Sequence, residues 1–156
     1  MGIDLLLFEC VGMKAGGKFP IENTGRGQDI SPEFLIKNLS PAAKTLAITL
    51  EDIRHPLFKN FPHWLIWNIP AAERIAGTIP GGRIIPSMGN ARQGVCYGWY
   101  KYAGPKPPKG QQHVYRFTMY ALDNKIDLSI LPTMGRFIKK ADGHIIQQGS
   151  LVGAFE

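Results

Sequence analysis

From Thr45 to Asp52 the chain reads TLAITLED, and this stretch decides the fold class. Leu46, Ile48 and Leu50 alternate with residues that are mostly threonine and glutamate. Successive side chains of a β-strand point to opposite faces of the sheet, so the alternation predicts a strand with one apolar face. Asp52 shares the parity of the leucines. A carboxylate therefore ends the apolar row.

A second alternating stretch, HWLIWNI, runs from His63 to Ile69 and predicts another strand. Alternation places His63 on the face of Leu65 and Trp67, where it is the polar end of an apolar row. Taken alone, a histidine beside tryptophans is more often a structural residue held by hydrogen bonds than a ligand. Its role therefore depends on what lies next to it in the fold.

A third stretch, HVYRFTMYAL, runs from His113 to Leu122. Alternation places His113 and Tyr115 beside Phe117, so polar groups again end an apolar row. Residues two apart along a strand are separated by about 6.6 Å, which lets both side chains serve one ligand. The three strands together predict a cluster of polar groups at one end of a sheet.

The segments between these strands are rich in proline and glycine, which are typical of turns. Residues 133–148 have helical spacing at Phe137, Ala141 and Ile145, which predicts a short C-terminal helix with His144 on its face. Leu151–Phe155 reads as a last strand. We find no internal repeat and no linker, so we expect one domain over 1–156. Many strands and little helix predict a mainly β fold, a β-sandwich of antiparallel sheets.

The composition indicates a folded, water-soluble protein. The 156 residues are 44% apolar and 19% charged, a balance that argues against disorder. No apolar run approaches the 18 or so residues of a membrane span, and the first residues do not read as a signal peptide. We expect a cytoplasmic protein without stable membrane insertion. In that setting the two cysteines, Cys10 and Cys96, are expected to be reduced thiols.

The formal net charge of +6 raises the question of nucleic-acid binding. The basic residues are scattered, however, and no nucleic-acid motif is present. The one local concentration, Lys101, Lys106 and Lys109, lies in a loop rich in proline and glycine. We therefore expect no nucleic-acid partner and interpret these lysines as a charged rim.

Four motifs follow one another along the chain: DIRHP (52–56), FPHW (61–64), YAGPKPPKG (102–110) and HVY (113–115). Their order resembles that of the phosphatidylethanolamine-binding protein family, in its bacterial and archaeal Raf-kinase-inhibitor-like branch. That branch has D-P-D-x-P, x-x-H-W, Y-x-G-P-x-P-P-x-G and H-R-Y. Weaker matches include WNIP (67–70), YALD (120–123) and LVG (151–153), so the resemblance extends from about Phe19 to the C-terminus.

The resemblance implies a β-sandwich with a surface pocket for phosphate-like anions or phosphorylated headgroups. Carried over position by position, the pocket residues are Asp52, His63, Pro107, His113 and Tyr115. Imidazole and phenol groups donate hydrogen bonds to anion oxygens, in agreement with this chemistry. The resemblance also implies a cis peptide bond before Pro56 (His55–Pro56), and its bacterial members suggest a homodimer.

Three positions depart from the family pattern. Ile53 and Arg54 replace the proline and the second acid of D-P-D-x-P, and Val114 replaces the arginine of H-R-Y. Arg54 is a candidate further contact because an arginine can offer paired donors to an anion. In the alternative interpretation, the Arg54 side chain pairs with Asp52 or points into solvent.

Two classes of function remain. The first is a binding or regulatory protein for a phosphorylated small molecule, lipid headgroup or phosphoprotein, with no catalytic residue, cofactor or metal. The second is a hydrolase in which Asp52, His63 and His113 perform acid–base chemistry with water as nucleophile. The sequence lacks a G-x-S-x-G elbow, which favours the first class. A protein-interaction domain without anion affinity is a third alternative.

Overall fold

The computed structural model describes residues 2–156 and contains two β-sheets and one α-helix. The elements, in chain order, are β1 (Asp4–Leu5), β2 (Phe8–Cys10), β3 (Phe34–Ile36), β4 (Thr45–Asp52), β5 (Phe61–Pro70), β6 (Arg74–Ile75), β7 (Ile84–Ile85), β8 (Ala91–Gln93), β9 (His113–Leu122), α1 (Met134–Ala141) and β10 (Ile145–Phe155). Short 3-10 turns occupy Ile21–Asn23 and Pro86–Met88. The predicted mainly β fold with a short helix near the C-terminus is confirmed.

The larger sheet has seven strands in the order β1-β10-β9-β4-β5-β8-β7, and the smaller has three in the order β2-β3-β6. Every strand pair is antiparallel except β1 with β10, which is parallel. Strands β4 and β9 pair in regular register from Thr45 opposite Leu122 to Asp52 opposite Tyr115. This register places the ends of both strands that carry polar side chains at the same edge of the molecule.

The main core lies between the two sheets. Phe34 of the smaller sheet contacts Phe117 of the larger one edge-to-face, with ring centroids 5.1 Å apart. Phe19, from the chain between β2 and β3, packs against Phe117 at 5.7 Å and against Tyr115 at 5.8 Å. These aromatic side chains are almost completely buried. The wall of the polar cluster is therefore anchored through Tyr115 in the main core.

A second core lies under α1, on the outer face of the larger sheet. Thr133 caps the helix by accepting a hydrogen bond from the Arg136 backbone N–H, at 3.3 Å. Phe137 packs against Trp67 and Tyr120, with ring centroids 6.1 Å and 5.8 Å apart. The helix thus covers part of this face and leaves the edge with the polar side chains uncovered.

The predicted helix over 133–148 is too long. The observed helix ends at Ala141, because Gly143 takes a left-handed φ of 85° that favours glycine and stops the helix. The last strand accordingly begins at Ile145, earlier than predicted. His144 does not lie on a helix face; its Nδ1 is 2.9 Å from a carboxylate oxygen of Asp123. No helix within residues 2–156 is long and apolar enough to cross a membrane.

Candidate functional site

A cavity of about 190 Å³ lies at the edge of the larger sheet where β4 ends and β5 and β9 begin. It is lined by Asp52, His55, Phe61, His63, Tyr97, Lys106, Pro107, Pro108, His113 and Tyr115. Two larger clefts, of about 700 Å³ and about 370 Å³, lie elsewhere, but their walls contain neither a histidine nor a tyrosine. Clustered titratable groups in a cleft are the stronger sign of a functional site.

Asp52 and His113 form a buried pair in the wall of this cavity. His113 Nδ1 is 2.7 Å from Asp52 Oδ2, and the two residues are only 7% and 2% exposed. The second oxygen, Oδ1, accepts a hydrogen bond from the Arg54 backbone N–H at 2.9 Å. Because a carboxylate can only accept, Nδ1 of His113 carries a proton, and Nε2 is the atom left for a ligand. Nε2 lies 3.4 Å from Gln111 Oε1, a weak contact.

His63 reaches the cavity because β5 contains a β-bulge. Leu50 pairs with Trp64 and Glu51 pairs with Pro62, so His63 is an extra residue in β5. Such a bulge re-aims a side chain, and bulges are common beside functional sites. The sequence-based placement of His63 on the face of Leu65 is therefore wrong. Its ring lies instead against Tyr115, on the face that carries Asp52.

The His63 ring has a fixed tautomer. Its Nδ1 is 2.9 Å from the Ala103 carbonyl oxygen, which can only accept, so Nδ1 carries the proton. Burial lowers the pKa of His63 below its ordinary value of 6.5. The carbonyls of Ala103 and Gly104 and the charges of Asp52 and Asp29 act in the opposite direction, without cancelling this effect. His63 is therefore neutral at pH 7, with an unprotonated Nε2.

Tyr115 forms the base of the cavity between the two imidazoles. Its ring centroid is 5.4 Å from that of His63 and 6.3 Å from that of His113. Burial raises its pKa well above the usual value of 10; the charge of Asp52 adds to this and the Lys106 backbone opposes it. The phenol is therefore protonated at all physiological pH values and can donate a hydrogen bond.

The loop that closes the cavity, residues 103–108, is held by the segment that follows Phe19. Arg26 Nη2 donates to the Pro107 carbonyl at 2.8 Å, and Asp29 Oδ1 accepts from the Gly104 N–H at 2.7 Å. Gly104 packs so closely that a Cβ there would lie 2.1 Å from the Asn23 carbonyl oxygen. This explains the glycine and fixes the adjacent Ala103 carbonyl that orients His63.

Aromatic side chains form the mouth of the cavity. His55 stacks on Phe61 with ring centroids 4.7 Å apart, and Phe61 contacts Tyr97 at 5.9 Å. Phe58 stacks on Phe61 at 5.6 Å and is 56% exposed. His55, Phe61 and Tyr97 were not among the predicted site residues. The position of Phe61 beside Pro62 and His63 in the FPHW motif could have indicated that it belongs to the site. No nearby sequence feature indicated the same for Tyr97.

The five residues carried over from the family pattern all line this cavity: Asp52, His63, Pro107, His113 and Tyr115. The sixth candidate, Arg54, does not line it; its side chain is exposed and forms no ion pair with Asp52. Lys106 lines the cavity instead, at its solvent edge. The charge that faces a ligand therefore comes from the loop after Ala103.

The predicted cis bond before Pro56 is wrong, because residues 2–156 contain no cis peptide bond. Side chains close the turn instead. Asp52 accepts from the Arg54 N–H, and His55 Nδ1 accepts from the N–H groups of Leu57 and Phe58 at 3.1 and 3.2 Å. These bonds reverse the chain direction between β4 and β5 with every peptide bond trans.

The fold and the site define a class: a two-sheet β protein with a small polar cavity at the end of its larger sheet. The family model of the phosphatidylethanolamine-binding proteins matches residues 12–156. A UPF0098 protein of Pyrococcus abyssi is 38% identical over 139 residues, which are 88% of this chain and 78% of the relative. The chain belongs to the phosphatidylethanolamine-binding protein family, as its motif order predicted.

Solved structures agree with this assignment. A phosphatidylethanolamine-binding protein homologue of Chlamydia trachomatis superposes with a TM-score of 0.82 at 26% identity, and the match covers 98% of both chains. Escherichia coli YbcL, a member of the same family, superposes with a TM-score of 0.84. That match covers 97% of this chain and 98% of YbcL at 22% identity, so it bears on the fold alone.

Proposed function

We propose that this protein is a binding protein whose cavity takes a phosphate-like oxyanion, carried by a small molecule, a lipid headgroup or a phosphoprotein. The buried Asp52–His113 pair is the observation that carries the proposal. With Nδ1 held by Asp52, His113 leaves Nε2 for a ligand in the cavity, and an imidazolium in this position would be a charge-assisted donor to an oxyanion. Tyr115 adds a neutral donor, and Lys106 adds positive charge at the edge.

The size of the cavity supports a small anionic group over a larger ligand. Pockets for drug-sized molecules occupy about 300–1,000 Å³. The cavity here is about 190 Å³, which suits a single tetrahedral oxyanion and a short substituent. The exposed Phe58 and Tyr97 at its mouth offer an apolar surface for whatever the anion is attached to. The rest of the ligand would then lie outside the cavity.

Calorimetric titration of inorganic phosphate into wild type and two matched variants tests the proposal. His113→Asn removes the imidazole in the cavity; His144→Asn removes a histidine that also contacts an aspartate through Nδ1 but lies outside the cavity. We expect at least tenfold weaker binding for His113→Asn and no change for His144→Asn. Absence of phosphate binding by the wild type would refute the proposal.

A hydrolase is the second candidate, because two imidazoles, His63 and His113, line one cavity with Nδ1 held by the protein and Nε2 left for a ligand. Among the lining residues, however, none is a serine, threonine or cysteine. Burial raises the pKa of the nearby Cys96 to about 12, so its thiol is not ionised. Turnover of phosphoesters and carboxyl esters, lost in His113→Asn, would favour the hydrolase. A protein partner, a homodimer and a cytoplasmic location remain predictions.

A further inference from the structure

Three large apolar side chains on two neighbouring loops are mostly exposed to solvent. Trp99 is 69% exposed, Ile130 is 73% exposed and Leu131 is 62% exposed. Trp99 belongs to the loop that follows β8, whereas Ile130 and Leu131 belong to the loop that precedes α1. None of the three belongs to either hydrophobic core. Packing therefore does not explain these residues, which we call the loop patch.

The two loops are held against each other. The Val95 N–H donates to the Pro132 carbonyl at 2.8 Å, and the Trp99 N–H closes its own turn on the Cys96 carbonyl at 3.0 Å. Trp99 and Leu131 have left-handed φ values of 51° and 45°, which are unfavourable for bulky residues. The fold thus holds exposed apolar side chains on strained backbone. Strain and exposed apolar patches are both typical of binding surfaces.

Basic side chains border the loop patch. Arg83 and Arg92 line a cleft whose wall includes the residues on either side of Ile130–Leu131. Arg92 and Lys125 line the adjoining cleft, where Asp127 is the one acid in the wall. Within residues 2–156, no ion pair involves Arg83, Arg92 or Lys125. The surface beside the loop patch therefore has a surplus of positive charge.

We propose that the loop patch and the arginines beside it dock the protein reversibly onto an anionic lipid surface. Trp99, Ile130 and Leu131 enter the boundary between headgroups and acyl chains, where tryptophan and aliphatic side chains are favoured. Arg83 and Arg92 lie at the level of the lipid phosphates and attract anionic headgroups. None of these residues lines the cavity at the end of β4, so the inference does not rest on the proposed function.

Charge and shape favour a lipid surface over two other occupants. In a two-fold dimer the same patch of both copies meets, so Arg83 and Arg92 would face their own counterparts in the second copy. A stable protein–protein interface buries about 800 Å² on each side with close shape complementarity. The loop patch, by contrast, consists of side chains that stand out from two loops. A fluid lipid interface accommodates such side chains without a matching shape.

Trp99 supplies the first test, because Trp64 and Trp67 are each only 1% exposed. A change in tryptophan emission on adding vesicles therefore reports on Trp99. We expect phosphatidylcholine vesicles with about 40% phosphatidylglycerol to shift the emission to the blue, and to bind at least tenfold more tightly in sedimentation than phosphatidylcholine alone. No binding to the anionic vesicles, or binding without the shift, would overturn the inference in favour of an acidic protein surface.

Apolar variants test whether the loop patch is responsible. Ile130→Ser combined with Leu131→Ser changes only exposed side chains, which seldom affect stability. This variant should bind the anionic vesicles at least tenfold more weakly. Leu5→Ser is the control, because Leu5 is 64% exposed at the opposite edge of the larger sheet, and it should bind like the wild type. Equal binding by both variants would overturn the inference.

Charge variants separate local from overall attraction. Arg83→Gln combined with Arg92→Gln should weaken vesicle binding at least tenfold, since each basic residue near the surface contributes about fivefold. Lys14→Gln combined with Lys18→Gln removes the same charge from exposed positions between β2 and β3, and should weaken binding less than about threefold. Equal losses would show that net charge alone attracts the protein and would overturn the inference.

Inorganic phosphate distinguishes docking from ligand binding in the cavity. When phosphate replaces chloride at constant ionic strength, binding to the anionic vesicles should not change, because the loop patch does not line the cavity. Displacement by phosphate would mean that a lipid headgroup occupies the cavity. That result would overturn the inference and support the proposed function, so the two can fail separately.

Discussion

His63 and Tyr115 lie edge-on to each other with ring centroids 5.4 Å apart and an interplanar angle of 80°. The contact joins a residue of the β5 bulge to a residue of the regular strand β9. It brings an acceptor nitrogen and a donor hydroxyl to one cavity, and both residues are at least 95% buried. Little side-chain freedom remains to be lost when a ligand binds, so the site is largely preorganised.

The first prediction concerns the pH dependence of stability. Burial lowers the pKa of His63 in the folded protein below 6.5, so the unfolded chain takes up this proton at higher pH than the folded chain. The contribution of His63 is complete above pH 6.5 and is lost as pH falls towards the folded pKa. We expect the free energy of unfolding, from urea titrations, to decrease from pH 7.5 to pH 5.5.

The matched variants are His63→Gln, which removes the buried histidine, and His144→Gln, which removes a partly exposed histidine outside the cavity. His63→Gln should show a weaker decrease in the free energy of unfolding over this pH range, whereas His144→Gln should follow the wild type. Each unit of pKa shift corresponds to about 1.4 kcal/mol. The same pH dependence in wild type and His63→Gln would contradict the prediction.

The second prediction compares two neighbouring acids. Asp52→Ala leaves two donors in the wall of the cavity without their acceptor, His113 Nδ1 and the Arg54 N–H. A buried donor left unpaired costs about 1–3 kcal/mol, so we expect a loss of that order in unfolding free energy. Glu51→Ala breaks only a partly exposed pair with Arg116, at 3.2 Å, and should cost less than about 1 kcal/mol. Equal losses would show that the Asp52 bonds contribute little.

The faces of β4 and β9 were predicted correctly from the sequence. These two strands pair with each other without irregularity, so residues that alternate along the chain also alternate between the two faces of the sheet. The same rule was wrong for His63, since β5 contains two bulges. The second bulge lies near Asn68, which has a left-handed φ of 59°. Pro62 was the available signal for the first, because prolines within strands favour bulges and edges.

Other parts of the site depend on distant chain segments, and no local pattern specifies them. Tyr97 and Lys106 meet His63 only because the loop between β8 and β9 folds back over the cavity, where Arg26 and Asp29 hold it. The motif match predicted Pro107 in this loop, whereas Arg54, which departs from the motif, was a candidate only because of its paired donors, and it does not line the cavity. A motif records which residue types recur, whereas the side of a turn on which a long side chain emerges depends on the backbone.

The third prediction follows from the exposed position of Arg54. Since its side chain does not line the cavity, Arg54→Asp should weaken phosphate binding only through the electrostatic potential at the surface. We expect a change of less than about fivefold in Kd at low salt that disappears at about 1 M salt, where the Debye length is near 3 Å. A tenfold loss that persists at high salt would place the guanidinium in direct contact with the anion.

The last prediction concerns Lys106 and the glycine beneath it. A Cβ on Gly25 would lie 2.9 Å from both Cβ and Cδ of Lys106, so the stem of this lysine rests directly on the glycine. Gly25→Ala should therefore displace the Lys106 ammonium from the cavity edge while His113 and Tyr115 keep their places. We expect Gly25→Ala and Lys106→Ala each to weaken phosphate binding by about three- to tenfold, or about 1 kcal/mol, because Lys106 is exposed.

A double-mutant cycle separates this effect from general damage to the loop. If Gly25 acts only through the position of Lys106, adding Gly25→Ala to Lys106→Gly, which removes both the Cβ and the Cδ that the alanine would meet, should cause no further loss of phosphate affinity. Additive losses would mean that the alanine disturbs another part of the site, most directly the hydrogen bond from the Gly25 N–H to the Pro105 carbonyl at 2.9 Å. Lys109→Ala is the control for charge alone: it removes an exposed lysine from the same loop that does not line the cavity, and should leave affinity at 0.15 M salt nearly unchanged.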